Sequence, residues 1–222
     1  MHPATRLLNK IPDPTLARLT LLEALKARLP LIKPGVTLDV GGGHAPYRKW
    51  VPHTEYLTLD IDPKKKPDLL CDLHEVNWPS AYFDTIIATE VLEHLHDPRK
   101  ALGEMFRLLK DDGVCLLSTR FIHPIHGAPM DFYRFTADGL RHLFSDFSDV
   151  EIVPLGNRIQ ALWLLATQNQ IKGKKKRLML LLMPITRLIA RIKVGDTLMP
   201  LGYLVVARKR AKSLAAARPA EA

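Results

Sequence analysis

With 222 residues, 47% of them hydrophobic and 25% charged, the chain is long enough for one substantial core and too apolar for a disordered polypeptide. Its net charge of +9 is unevenly placed: from Glu151 onward fourteen Lys or Arg stand against three acids, leaving residues 1–150 at −2, which argues against a nucleic-acid-binding surface spread over the whole chain. Cys71 and Cys115 lie in apolar runs and make neither a disulfide framework nor a zinc spacing, and the absence of a secretory pattern or a ~20-residue apolar run predicts a cytoplasmic protein with no membrane-spanning helix.

In chain order, Asp13-Pro14 offers an N-cap followed by proline at the first helical position. Leu16, Leu19, Leu22, Leu25 and Leu29 then recur near helical spacing up to Pro30, so residues 1–34 read as an N-terminal helical segment. Its stripe suits packing on a sheet or covering the mouth of a site. Thr37-Leu38-Asp39-Val40 then runs as a strand into Gly41-Gly42-Gly43-His44-Ala45, where glycines let the backbone bend tightly and approach a ligand. A dinucleotide fingerprint would require glycine at position 46, which is Pro46, and Asp39 would sit poorly beside a pyrophosphate. An acid beside such a turn suits a cationic ligand instead.

Tyr56 to Asp60 reads as a second strand ending in an acid about twenty residues past the glycine turn, where a ribose needs a carboxylate acceptor. Asp60 takes that role, with Asp62 in reserve. Asp68 to Leu73 is a short third strand and Phe83 to Ala88 a fourth, leading into Thr89-Glu90-Val91-Leu92-Glu93-His94. A helix from Asp97-Pro98 runs to Lys110-Asp111-Asp112-Gly113, Val114 to Thr119 is a fifth strand, and Thr136 caps a helix carrying Leu140, Leu143 and Phe144. Asp149 to Val153 and Leu201 to Arg208 are the last two strands. This alternation predicts an α/β fold with a mostly parallel sheet.

The glycine turn with Asp39 resembles motif I of the class I S-adenosylmethionine-dependent methyltransferases, with Ala45 where a third glycine often stands. Asp72 matches the family acid that accepts from the adenine amino group, and Glu90-Val91-Leu92-Glu93-His94 resembles the motif after the fourth strand. The resemblance covers residues 36–153 and the last strand. It implies a doubly wound, Rossmann-like sheet of seven mostly parallel strands, the last one antiparallel beside the fifth, in a domain over 35–210. It further implies S-adenosylmethionine as cofactor, held by Asp39, Gly41, Gly42, Gly43, Asp60, Ile61, Asp72, Leu73 and Glu90.

The segment from Gly127 to Thr136 resembles the Asp-Tyr-x-Arg-Phe-Thr motif of bacterial type 11 methyltransferases from polysaccharide biosynthesis clusters. Arg134, between aromatics, is suited to grip a carboxylate or phosphate with two prongs, or else to form an internal ion pair. With Tyr133 and His123 it forms the expected acceptor-binding set. For a proton acceptor, His94 is the first candidate and His126 and Asp131 the next, since an imidazole near its ordinary pKa suits abstraction from a hydroxyl. His123, His126 and Asp131 lack the further spacing of a metal site, so no metal is expected.

Residues 159–197 depart from the family pattern, where a tight turn is common. Ile159 to Ala166 is apolar, Lys172 to Arg177 is basic, and Leu178 to Lys193 is amphipathic, the composition of a basic helical insertion. Residues 172–193 suit peripheral contact with the inner face of a membrane, a cover over the site, or a second subunit in a homodimer. Residues 211–222 read as a disordered tail. Together these features predict methyl transfer to an oxygen of a saccharide or lipid-linked glycan. The alternatives are a quinone-type or secondary-metabolite small molecule as acceptor, or a cofactor-binding interaction protein without catalysis; nucleic acid is not expected.

Overall fold

The computed structural model describes residues 16–126, 130–168, 184–192 and 198–210. Helix α1 (Leu16–Arg28) buries Leu16, Ala17, Leu19, Leu21, Leu22 and Leu25 and gives way to a 3₁₀ turn carrying Pro30. Its expected start at Asp13-Pro14 lies outside the described residues. Seven strands follow: β1 (Val36–Val40), β2 (Glu55–Asp60), β3 (Leu69–Leu70), β4 (Phe83–Thr89), β5 (Leu109–Arg120), β6 (Ser148–Leu155) and β7 (Gly202–Arg208). Helices α2 (Pro98–Leu108), α3 (Ala137–Leu143) and α4 (Arg158–Gln168) lie between them, with a further helix, α5, over 184–190.

The strands form one sheet in the order β3-β2-β1-β4-β5-β7-β6. Strands β1 to β5 are parallel, while β7 is antiparallel to both β5 and β6. Residues alternate between the two faces, as a pleat with a period of two requires. Ile86, Cys115, Leu117, Val205 and Ala207 join the cluster of α2 residues Ala101, Leu102, Met105 and Leu108. Their neighbours Ile87, Val114, Leu116, Leu204 and Val206 pack with Leu21, Leu22 and Leu25 of α1. Both faces are therefore covered, and α1 is a sheet-packing helix.

Capping agrees with the sequence at two helices: Asp97 accepts from the Lys100 N–H and Thr136 from the Gly139 N–H, at 3.0 and 3.1 Å. Two boundaries differ by more than two residues. Strand β5 begins at Leu109, not Val114, because Asp112 adopts φ +62° and its N–H donates to the Lys209 carbonyl, drawing the Lys110–Gly113 turn into the sheet. Strand β3 keeps only two residues: Asp68 turns its carboxylate onto the N–H and hydroxyl of Thr58, and Asp72 caps a 3₁₀ turn over Leu73–Glu75.

Helices α4 and α5 form a pair, tied by Trp163 donating to Thr186 Oγ1 (3.1 Å) and by Gln160 and Asn157 donating to carbonyls at Ala190 and Ile192. The basic stretch 172–177 between them lies outside the described residues. Among the described residues no helix is long and apolar enough to cross a membrane.

Candidate active site

Because β1 to β5 run parallel, the segments leaving their carboxyl ends collect along one edge, and the strand order reverses at β1, where a crevice opens in such sheets. The first segment is the glycine turn. Gly41 and Gly43 adopt φ +65° and +50°, and the Gly41 N–H is fixed by the Leu59 carbonyl at 2.7 Å. A Cβ at Gly42 would fall 2.5 Å from Cγ of Asp39, whose side chain is tucked beneath the turn. Asp39 is fully buried; one oxygen accepts from the Tyr56 hydroxyl at 2.6 Å and the other, Oδ1, has no hydrogen-bond partner. Burial pushes its pKa up to about 6 against the opposing pull of Tyr56.

The acids of the next two segments are spent differently. Asp60, half-buried at the end of β2, accepts from the Asp62 N–H, and Asp62 in turn caps the 3₁₀ turn over Pro63–Lys65. Ile61 between them holds an apolar side chain 61% exposed at the edge. Asp72 accepts from both the N–H and the ring Nδ1 of His74, at 2.9 and 2.6 Å, and Leu73 sends its side chain into the core.

Beyond β4, Glu90 sits at φ +58° and pairs with Arg120 at the end of β5. Burial raises its pKa, while Arg120 and Arg18 of α1 draw it back, so α1 extends its charge toward this edge. The turn Leu92–His94 then delivers Glu93, fully buried, and His94. Thr119 donates to Glu93 Oε2 at 2.9 Å, whereas Oε1 accepts no hydrogen bond and lies 3.8 Å from Nε2 of His126. His94 Nδ1 contacts the Met130 carbonyl, and its ring packs edge-on against His126 at 4.9 Å. The loop is further fastened by the Phe132 N–H on the Glu93 carbonyl and the Tyr133 hydroxyl on the His96 carbonyl.

Asp131 and Arg134 face one another. The guanidinium grips both carboxylate oxygens, 2.6 Å at Oδ2, and also donates to the Tyr133 carbonyl. Of the two roles open to Arg134, the described geometry realises the internal ion pair. That pair holds the Asp131 carboxyl well below the usual carboxylate range, which suits it to orienting a neighbour better than to taking a proton. Its neighbour is His126: Oδ2 accepts the His126 backbone N–H at 3.0 Å and lies 3.5 Å from Nδ1. Burial lowers the pKa of His126 and takes His123, whose Nδ1 contacts the Pro124 carbonyl, down to about 4, so both rings are held toward the neutral form.

Sequence reasoning assigned no role to Glu93, Thr119 or Arg120. Glu93 was visible as the acid next to His94, but its complete burial depends on β5 passing beside it. The three side chains whose ligand-type atoms converge within 4.8 Å of one another are Glu93, His94 and His126, a set drawn from two loops.

The strand order, the single antiparallel β7 and the glycine turn after β1 define a class I methyltransferase fold. The methyltransferase domain family matches residues 15–153, more than half of the chain, and the chain belongs to that family. Its cofactor is S-adenosylmethionine, and the edge fits that molecule: a tight glycine turn packed so closely on Asp39 and Val91 that Gly41 and Gly42 admit no Cβ, an unpartnered buried oxygen on Asp39, and carboxylates for a cationic ligand.

Among solved structures, phosphoethanolamine N-methyltransferase 2 of Haemonchus contortus, in complex with phosphomonomethylethanolamine and S-adenosylhomocysteine, aligns at TM-score 0.58 and 15% identity. The match covers 86% of this chain and 52% of that one, so the chain spans about half the length of that protein. A methyltransferase bound to the Trm112 activator from Haloferax volcanii aligns at 0.58 and 16%, covering 86% and 90%. The N-methyltransferase NodS of Bradyrhizobium japonicum aligns at 0.56 and 13%, covering 90% and 100%. No curated protein matches the chain.

Proposed function

We propose that this chain transfers a methyl group from S-adenosylmethionine to a hydroxyl oxygen of a saccharide or lipid-linked glycan intermediate. The observation that carries the reading is the convergence of Glu93, His94 and His126 at the same sheet edge as the glycine turn. When bound, the cofactor supplies a sulfonium methyl and leaves as a neutral thioether, so the protein's task lies with the acceptor. An alcohol is a poor nucleophile until its proton is removed, whereas a neutral amine needs no such help. The neutral His126 ring is turned toward Glu93 and oriented by Asp131, and His94 stands beside it. A hydroxyl placed between these rings would meet groups able to accept its proton and hold it in line for transfer, which contributes several kcal/mol by removing translational and rotational freedom.

Toward the cofactor, the Gly41–Gly43 backbone would cradle the methionine part, Asp60 would accept from the ribose, and Asp72 and Ile61 would flank the base. Exposed apolar side chains on α4 and α5 support a lipid-linked acceptor: Leu162 and Leu188 are 61% and 64% exposed, and Leu165 and Ile185 41% and 45%. In this reading the helical pair rests on an anionic membrane face, the basic stretch between the helices contributing attraction of ~1 kcal/mol per charge. The test is transfer of labelled methyl from S-adenosylmethionine to a panel of free and lipid-linked saccharides, with mass spectrometry locating the label. Label on a saccharide oxygen is the expected result. Label confined to amines, or to quinones and phenols, overturns the acceptor assignment.

A further inference from the structure

The groups at the acceptor end are arranged as metal ligands are arranged. Glu93 is a carboxylate with no exposure to solvent whose Oε1 accepts no hydrogen bond, an arrangement that costs several kcal/mol unless a cation or donor completes it. Its unpaired oxygen faces Nε2 of His126 at 3.8 Å, and the ligand-type atoms of Glu93, His94 and His126 all lie within 4.8 Å of one another. Among the described residues no lysine or arginine forms an ion pair with Glu93: Arg120 is paired with Glu90 and Arg134 with Asp131.

The outer contacts point the same way. Two of the three ligands have their other polar atom held from behind: Thr119 donates to Glu93 Oε2 and the Met130 carbonyl takes His94 Nδ1, while the Asp131 carboxylate stands 3.5 Å from His126 Nδ1, which makes no hydrogen bond. A carbonyl or carboxylate on Nδ1 selects the tautomer with its lone pair on Nε2, the outer support that metal-bound histidines have. We propose that Glu93, His94 and His126 bind a divalent first-row transition ion of the zinc or manganese type, through two imidazoles and one carboxylate. Metal bonds of ~2.0–2.2 Å bring tetrahedral ligand atoms about 3.4 Å apart, so closure on the ion requires His94 to move inward by ~1 Å. His94 is half-buried, so the shift does not require the core to repack.

Three protein ligands leave at least one position open, the pattern of a catalytic ion more than a structural one. An acceptor hydroxyl in that position would have its pKa lowered and release its proton to solvent, leaving an oxygen anion facing the cofactor edge. This role for the ion rests on the proposed oxygen methylation and replaces the two imidazoles, whose Nε2 lone pairs the ion takes, as the means of removing the proton; the binding itself does not rest on it. Two imidazoles favour transition ions over magnesium and calcium, which prefer oxygen ligands alone.

The test uses untagged full-length protein stripped with a chelator and titrated with Co²⁺ and Zn²⁺, with Mg²⁺ for comparison. Bound metal is read by elemental analysis after dialysis and by the visible absorption of Co²⁺. One transition ion per chain is expected, with Glu93→Gln and His126→Asn each weakening it by on the order of 100-fold and the positioning variant Asp131→Asn by about 10-fold. Circular dichroism of each variant separates lost binding from lost folding, and His94→Asn at the half-buried ligand supplies a second route. Binding left unchanged by Glu93→Gln and His94→Asn in folded protein, or no ion retained by the wild type, overturns the proposal. Methylation assays run beside it keep the two readings apart. Chelator-resistant transfer to a saccharide oxygen, with no metal bound, defeats the metal site and keeps the acceptor. A bound ion with label on another class of acceptor does the reverse.

Discussion

The two halves of the sheet edge are built by different means. At β1 and β2 the edge is backbone: three glycines, two of them left-handed, over a carboxylate sealed beneath them. After β4 and β5 it is side chain: a buried glutamate, two imidazoles and an aspartate locked to an arginine, brought together from two loops. A backbone cradle recognises what every member of a cofactor-sharing family must hold, and it leaves little room for variation. A side-chain cluster on loops can be rebuilt for a new acceptor without disturbing the sheet, the division of labour that lets one fold serve many chemistries.

The difference is broken most severely at Gly42. A Cβ there meets Cγ and Oδ2 of Asp39 at 2.5 and 2.7 Å, so the turn or the buried carboxylate must shift. Gly42→Ala should strain the fold by ~1–3 kcal/mol and, by displacing the turn or the Asp39 carboxylate, weaken S-adenosylmethionine binding. Calorimetric titration checks this, and an affinity within a few fold of wild type would remove the turn from the cofactor site.

Asp39 sharpens the comparison because stability and binding should move in opposite directions. Its folded pKa of about 6 is above the unfolded value, so the contribution of the protonated carboxyl is complete below pH ~4 and is lost as pH rises through ~6. At pH 7.5 the chain therefore carries an ionised, half-satisfied buried acid. Asp39→Asn should stabilise the cofactor-free protein at that pH by about 2 kcal/mol, flatten its stability between pH 4 and 7, and weaken the cofactor. Denaturant midpoints across that range are the measurement; a variant destabilised with unchanged affinity contradicts a binding role.

The sequence named residues in both halves, His94, His126, Asp131 and Arg134 as well as Asp39, the glycines and Asp60, but not the pairings of the second. Asp39, the glycines and Asp60 lie within single strand-and-turn units, so their neighbours in space are their neighbours in the chain. Short apolar runs and caps at Asp97 and Thr136 located the strands and two helices for the same local reason. Thr119 meeting Glu93 spans 26 residues and the Met130 contact to His94 spans 36, and no local pattern reports such pairings. The shortened β3 and the early start of β5 likewise follow from long-range partners, Thr58 and Lys209.

Asp131 tests the side-chain half. Its pKa is depressed by Arg134, so the stability it supplies is present above the unfolded value near 4 and is lost as pH falls toward the folded one. Asp131→Asn leaves a guanidinium, one quarter exposed, without its partner. The cost should be about 2 kcal/mol at neutral pH, below the full penalty of a buried pair because water still reaches the arginine. The gap between variant and wild type should narrow under acid, and thermal unfolding at pH 7 and pH 3 reads both limbs. Parallel curves would mean that the ion pair is ornamental to the fold.

The smallest effects belong to α4 and α5, where exposure separates folding from association. Leu162 and Leu188 are largely out of the core that joins this helical pair to α1, which is made by Leu16, Ala17, Ala161, Leu164 and Leu201. Leu162→Asp and Leu188→Asp should therefore change stability by no more than ~0.5 kcal/mol. If these side chains enter a membrane interface, each substitution should still lower partitioning onto vesicles of anionic lipid by about tenfold, since inserting a leucine contributes ~1.5 kcal/mol or more. Raising salt should weaken wild type and variants alike, because screening acts on the basic residues and leaves the apolar contribution untouched. Sedimentation with vesicles separates the two contributions: partitioning that is salt-sensitive but indifferent to both substitutions would assign the attraction to charge alone. The exposed leucines would then need another occupant, and the lipid-linked form of the acceptor would lose its structural support while the free saccharide kept its own.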